Sequence, residues 1–531
     1  MVLSDEIEDV ERLAEIIEIF TEAGFAEFIE RAGLRDRLPL GKRIWKDGDS
    51  EPSPVRLRNA LEQLGPTFIK LGQTLAQRPD IIPQPYIEEL EKLENQVEPI
   101  ESSTVRTIIE DSLGQEIDEI FDKFDDDPIG SASVAQVHRA RLTSGEDVAV
   151  KVIKPDVREK VETDLRILQA LVKEAEFASK KLRQYHVTDI FEQFKKWTRN
   201  ALDLRKEARN AHILKENLRN DPEVYIPKIY DDYTTERIMV AELIEGTRPT
   251  NTAELREKDV SSQSIAQNGV RTITKQVARD GFFHADPHPS NLFIDSEGRI
   301  NYVDFGIVGQ INKTEQRQIA LLMLQLVNEN AEGVVNAITK MAMVDDDADL
   351  EQLEKKINEI IMESRGRTLA EKPFSYQFLE ILRFGAQNGV HLPTTFAAAA
   401  KGLLEVEGIA LKIYPDLQLT DEVRPIIRNV VWSQNRPDDI ARNFLLSLAE
   451  NRELIEDAPR NAAAIIRNVR EQSGKRDTTL KVDTRTLGVA MVAVALIVTG
   501  TLFATGSSGR QLIGILELAA GLFLTFRLLE S

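Results

Sequence analysis

The sequence predicts an α+β protein of two lobes, a small β-rich lobe followed by a larger helical one. A helical extension precedes them and a pair of apolar segments follows. Three observations carry this. Apolar residues step by threes and fours through 57–75, the spacing of one helix face. The period then drops to near-alternation in two β-branched runs, SVAQVHRARL and EDVAVKVIKP, joined by Ser144-Gly145. Helical spacing returns after a second pair of extended runs and holds to about residue 470. At 531 residues the chain exceeds one ordinary core, and its 42% hydrophobic and 29% charged content is that of a folding chain.

The elements follow in order. Residues 1–50 read as surface helix, ending in the turn-rich KDGDSEPSP. The stripe Leu61, Leu64, Phe68, Leu71, Leu75 is interrupted at Gly65-Pro66, which ends one helix and starts another. QRPDIIPQP breaks the pattern, and 88–94 and 102–120 are helical again. The first hairpin leads into a charged helical region over 157–218. IPKIYDDYTT and ERIMVAELIEG form a second hairpin, and two short strands bracket residues 295–298 within the helical lobe. The expected boundaries are an extension over 1–120, a β-rich lobe with a helical insertion over 121–246, a helical lobe over 247–470, and a polar tether over 471–486.

Residues 487–527 read as a transmembrane helical hairpin. The stretch 487–505 carries no charge, and 512–526 is apolar apart from Glu517. Lys481 and Arg485 before it and Arg527 after it favour both ends in the cytoplasm, with Arg510 in the turn opposing. The expected location is therefore the cell membrane, with the folded lobes on the cytoplasmic side. The acidic N-terminus lacks the basic start of a secretory signal. A net charge of -21 argues against nucleic acid as a partner, and the absence of cysteine excludes disulfides and thiolate chemistry.

Three motifs carry chemistry. VAVK at 148–151 ends a strand on Lys151, a point charge for a phosphate. HADPHPSN at 284–291 sets Asp286 and Asn291 at the spacing of a kinase catalytic loop. YVDFGIVG at 302–309 ends a strand on Asp304, and the turn at 295–298 returns it towards Asp286. Together they read as a kinase-like ATP site. Lys151 engages the α- and β-phosphates and Asn291 and Asp304 hold Mg²⁺. Asp286 orients or deprotonates the acceptor, and the strand end at Val240 to Glu242 offers backbone groups to adenine. A second reading takes His284, Asp286 and His288 as strand-spaced metal ligands.

On these residues the chain resembles the UbiB/AarF family of atypical protein-kinase-like proteins of quinone and isoprenoid-lipid metabolism. FIKLGQTLAQRPDIIP carries the family's K-x-G-Q motif at Lys70, Gly72 and Gln73, in an extension that folds over the nucleotide site. IGSASVAQVHRA is similar to its Ala-rich nucleotide loop, here Ser131, Ala132, Ser133, Val134 and Ala135. LDLRKEARN implies Glu207 as partner of Lys151, and Asp203 matches the Asp of E-x-D. The departures are Ala201 at the E-x-D glutamate, Ser290 for Gly, Lys154, and Lys401 where Arg is usual.

The resemblance implies an atypical protein-kinase-like fold, ATP/ADP and Mg²⁺ as cofactors, and Lys70 and Gln73 among the catalytic groups. It also implies a lipid-like, isoprenoid or quinone-related substrate and biosynthetic protein partners. After Gly306 the chain passes straight towards a helix without a long activation segment. ATP hydrolysis or phosphorylation of a small substrate is therefore favoured over protein phosphorylation. The alternative is a nucleotide-sensing pseudokinase scaffold for membrane biosynthetic enzymes.

Overall fold

The computed structural model describes residues 2–25, 53–76, 78, 82–93, 98–178, 183, 187–364 and 374–434. The chain divides into two compact units, 1–430 and 431–531, and the site lies in the first. The expected tether over 471–486 and hairpin over 487–527 fall outside the described residues. Among the described residues no helix is long and apolar enough to cross a membrane.

The extension begins with α1 (Val2–Phe20), α2 (Pro54–Leu64), α3 (Pro66–Ala76) and α4 (Gln84–Leu90). The interrupted stripe forms as expected: Gly65 closes α2 at φ +94° and Pro66 opens α3. The apolar faces meet two inserted helices, α7 (Val157–Ala178) and α8 (Val187–Asn200). Leu61, Phe68 and Leu90 share one buried cluster with Val161, Leu165, Phe191 and Phe194. Within the extension Gly72 lets α3 approach α2 and the end of α4, since a Cβ there would stand 2.3 Å from Leu93 and 2.8 Å from Leu61.

The small lobe holds α5 (Ser102–Leu113), α6 (Ile117–Ile120) and the strands β1 (Phe121–Ser131), β2 (Ala135–Leu142), β3 (Asp147–Ile153) and β5 (Ile238–Glu242). They form an antiparallel sheet in the order β1-β2-β3-β5. Val148, Val150 and Val152 bury one face of β3 against Val105 and Ile109 of α5, so strand alternation puts Lys151 on the opposite face. The expected first hairpin is β2-β3, with Gly145 at φ +104° in its turn. β1 is a correction to the sequence reading. Its acidic run and Pro128 lack strand character, but it is an edge strand with irregular register, where both are tolerated.

The second expected hairpin forms only in part. β4 (Val224–Tyr225), just before the expected run 226–235, pairs in parallel with β8 (Ile300–Tyr302). Pro227 interrupts the run, and only the stretch after it returns to β5, through Tyr230 N–H to Val240 O at 2.9 Å.

Helix α9 (Leu204–Asn217) completes the insertion. The large lobe then contains α10 (Thr252–Glu257), α11 (Ser262–Lys275), β6 (Phe282–His284), β7 (Leu292–Ile294), β8 and β9 (Val308–Gln310). β7 and β8 are the expected strands around 295–298, and β6 pairs with β9. α12 (Lys313–Val327) follows directly, with Asn312 and Glu315 forming a reciprocal cap. After it come α13 (Ala331–Thr339), β10 (Met343–Val344), α14 (Leu350–Ser364), α15 (Phe374–Gln387), β11 (Val390–His391), α16 (Thr394–Ile413) and α17 (Leu419–Gln434).

Candidate active site

Lys151 on β3 reaches two carboxylates from distant elements. Its Nζ lies 2.6 Å from Glu207 Oε1 and 3.1 Å from Asp304 Oδ2. Glu207 stands on α9, whose first turn is capped by Asp203 accepting from Arg205 N–H at 3.2 Å. The same helix face fixes the Asp304-Phe305-Gly306 turn. Phe305 N–H donates to Glu207 Oε1 at 3.3 Å, and Asn210 Nδ2 donates to Phe305 O at 2.9 Å. Gly306 N–H in turn donates to Asp304 Oδ1 at 2.8 Å.

These contacts settle the charges. Burial would lower the Lys151 amine, but Asp304 and Glu207 hold it above its ordinary value. Burial also opposes ionisation of Asp304, yet Lys151 and the Gly306 N–H hold its carboxyl at about 2. Glu207 is pushed up by burial and by Asp304, with Lys151 pulling the other way.

Asp286 follows β6. Its Oδ1 accepts from Lys401 Nζ at 2.6 Å, and Lys401 also lies 3.0 Å from Glu405 Oε1, one turn further along α16. Burial works against ionisation of Asp286, but Lys401 outweighs it and holds the carboxyl below its usual range. Burial raises Glu405 to about 7 despite Lys401. Asn291 Nδ2 donates to Asp286 O at 3.2 Å, which ties the two loop residues together. Arg248 braces the same loop, donating to Leu292 O at 3.3 Å while its guanidinium lies over Phe293 at 3.8 Å.

His284 orients this loop. It accepts the Asp286 N–H on Nδ1 at 3.2 Å, so its proton sits on Nε2, which donates to Asp304 O at 2.5 Å. Both ring nitrogens are thereby spent. His288 Nδ1 faces the Ser290 hydroxyl at 2.7 Å. The reading of His284, Asp286 and His288 as a metal triad is therefore corrected: the imidazoles serve loop geometry.

The donor set suits a hard divalent cation bound to a nucleotide. Asp304 is an ionised carboxylate and Asn291 offers an amide oxygen, both ligands that Mg²⁺ prefers. In the loop 131–135 the Ala132 N–H closes a tight turn onto Ala135 O at 2.8 Å. The Ser131 hydroxyl there is buried without a hydrogen-bond partner, an orphan that a phosphate oxygen would satisfy.

The extension contributes Lys70 from α3. Burial draws its amine down to about 8; Asp304 opposes that, Lys151 reinforces it, and Glu207 and Asp286 also bear on it. Lys70 thus lies within the electrostatic reach of Asp304, Lys151, Glu207 and Asp286. Gln73 donates from Nε2 to Leu93 O at 3.1 Å, inside the extension. The Glu242 carboxylate accepts from Tyr225 OH at 2.7 Å and Lys228 N–H at 3.0 Å, away from the Lys151 cluster.

Sequence reasoning brought together Lys151, Glu207, Asp286, Asn291, Asp304 and Lys70. It noted Lys401 only as a departure from a pattern and missed Glu405, Asn210 and Arg248. A signal for the first pair existed: a Lys and a Glu four apart in the apolar run AAAAKGLLEVEG are expensive to bury unless they face each other or a third charge.

The chain is also similar in sequence to known proteins. Residues 92–338 match the family model described as the ABC1 atypical kinase-like domain. The probable protein kinase UbiB of Sodalis glossinidius is 31% identical over 434 residues, 80% of each chain. Its counterpart from Azotobacter vinelandii is 33% identical over 390 residues, 73% of this chain and 72% of that one. Among solved structures, the complex of Rv3197 with erythromycin from Mycobacterium tuberculosis is 21% identical. It covers 70% of this chain and 94% of that one, with a TM-score of 0.48.

Proposed function

The chain belongs to the UbiB/AarF family of atypical kinase-like proteins, and from that premise we propose that it is a Mg²⁺-dependent ATP-binding kinase or ATPase. We propose further that it acts at the cell membrane, on its cytoplasmic side, in quinone or isoprenoid-lipid metabolism. The observation that carries the reading is the Lys151–Glu207–Asp304 ion cluster, which shares one loop system with Asp286 and Asn291.

In this reading Lys151, held rigid by Glu207, binds the α- and β-phosphates, and the loop of Ser131, Ala132, Ser133, Val134 and Ala135 covers them. The end of β5 at Glu242 lends backbone groups to adenine. Asn291 and Asp304 would hold Mg²⁺, which would neutralise charge on the phosphates. Asp286 directs the acceptor oxygen and takes its proton. That oxygen forms a bond to the γ-phosphorus, the bond to the bridging oxygen breaks, and ADP departs.

Water or a small lipid-like hydroxyl is the favoured acceptor. α12 begins directly after β9, so the region that would seat a peptide is short. Lys70 and Gln73 belong to the extension that covers the site and places a second amine near the phosphates. The alternative, a nucleotide-sensing pseudokinase scaffold, uses Lys151, Asn291 and Asp304 for binding and leaves Asp286 without a catalytic task.

Substituting Asp286→Asn separates the two. For an enzyme, Mg·ATP turnover falls by about 10²-fold or more while nucleotide affinity stays nearly constant. Equal turnover in D286N and the unaltered chain removes the catalytic role and leaves binding alone. Adding extracted cell lipids to the same assay tests the acceptor class, with stimulation expected.

A further inference from the structure

Asp286 is held by a cation that its own loop does not supply. From His284 to Asn291 the loop HADPHPSN contains no Lys or Arg. The amine arrives from the middle of α16, where Lys401 is 17% exposed and lies 2.6 Å from Asp286 Oδ1. The next residue, Gly402, explains how the helix comes so near. A Cβ at that position would stand 3.1 Å from His284 O, so α16 rests against the backbone of β6. One turn on, Glu405 takes the other side of the amine at 3.0 Å and is itself 18% exposed. Its second oxygen is buried without a hydrogen-bond partner.

A lysine on a flexible stem directs a carboxylate poorly when that carboxylate is its one contact. Held between two carboxylates on a docked helix, it has one place to be. We propose that Lys401 is the positioning residue for Asp286 in phosphoryl transfer, with Glu405 as the counter-anchor that fixes the Lys401 amine. The inference rests on the kinase-like reading of the site. Lys401 stays protonated throughout. Its task is to leave Asp286 Oδ2 directed at the acceptor hydroxyl, whose proton that oxygen receives as the new oxygen–phosphorus bond forms. The other titratable groups that face Lys401 are Glu91, just beyond α4 in the extension, and His284 and His288 of the loop.

The experiment uses the full chain and the variants K401M, K401R, E405Q, D286N and D286N/K401M. It measures kcat, KM for Mg·ATP, and nucleotide affinity by equilibrium binding. K401M is expected to lower kcat by about 10- to 100-fold with affinity changed less than about twofold. K401R keeps the charge and is expected to recover kcat to within about fivefold. E405Q loosens the amine and is expected to lower kcat by about 3- to 10-fold. Because the residues act as a unit, D286N/K401M should be no slower than D286N. Full kcat in K401M, or a double variant whose losses multiply, overturns the inference.

Failure of the underlying reading looks different. It shows as an unaltered chain that binds no Mg·ATP, or as D286N turning over like that chain. A melting-temperature cycle on the nucleotide-free protein then reads the ion pair by itself, and additive shifts from D286N and K401M overturn the pair as well.

Discussion

Lys70 is a cation placed among groups already matched to each other. Lys151, not Lys70, takes the ion pairs with Glu207 and Asp304, and burial brings the Lys70 amine from 10.5 to about 8. A depressed lysine costs folding free energy wherever it must be charged. The penalty is full below pH 8, shrinks as pH rises, and vanishes above the unfolded value near 10.5. K70M should therefore stabilise the nucleotide-free protein by about 3 kcal/mol at pH 7. The gain should fade to nothing near pH 10.5, as read by denaturant melts across pH. The same variant should weaken Mg·ATP binding, because in the proposed reading the amine stands beside the phosphates. A K70M protein that is less stable than the parent at pH 7 refutes this account. The central residues were legible because kinase-type chemistry fixes both residue type and spacing within two short loops, Asp286 with Asn291 and Asp304 with Gly306. Lys401 was not, because it meets Asp286 across 115 positions of chain and no local pattern encodes that meeting.

The catalytic loop depends on β6 pairing with β9, and that pairing depends on one glycine. A Cβ at Gly309 would stand 2.0 Å from Phe283 Cζ, with the ring fully buried and unable to retreat. G309A should destabilise the protein by about 1–3 kcal/mol, the usual cost of overpacking. It should also impair turnover, since β6 leads into Asp286. Gly408 in α16 is the internal control, because a Cβ there meets nothing within 4 Å. G408A should raise stability by about 0.5–1 kcal/mol through helix propensity alone. Equal melting temperatures for the two variants would show that the β6-β9 contact is not the constraint described. Helices with a clean stripe, such as α2 and α3, were legible, as was the β2-β3 hairpin with its Gly145 turn. β1 was not, since Asp125, Asp126, Asp127 and Pro128 mark a loop in any local reading. Only pairing with β2 along the sheet edge makes them strand. The short β10-β11 pair is the same case, two residues on each strand held by contacts remote in sequence.

Across the whole chain, the charged lobes and the apolar end impose opposite demands on solvent. The whole chain's net charge of -21 favours hydration, whereas 487–505 carries no charge at all. Burying such a stretch in hydrocarbon is favourable, and the basic residues Lys481, Arg485 and Arg527 beside it suit an anionic leaflet. The residues proposed to act at the site, from Lys70 to Lys401, lie within the first compact unit, so a membrane anchor at 487–527 and phosphate chemistry should separate cleanly. A chain ending at 473 is therefore expected to stay in the supernatant without detergent and to bind Mg·ATP with the affinity of the full chain. With the proposed apolar hairpin as anchor, the full chain should sediment with membranes and resist extraction by high salt, because salt screens charge and does not weaken apolar burial. Sedimentation of the shortened chain to the same extent would place the main anchor within the first 473 residues, and release of the full chain by salt alone would reduce the apolar pair to an electrostatic contact.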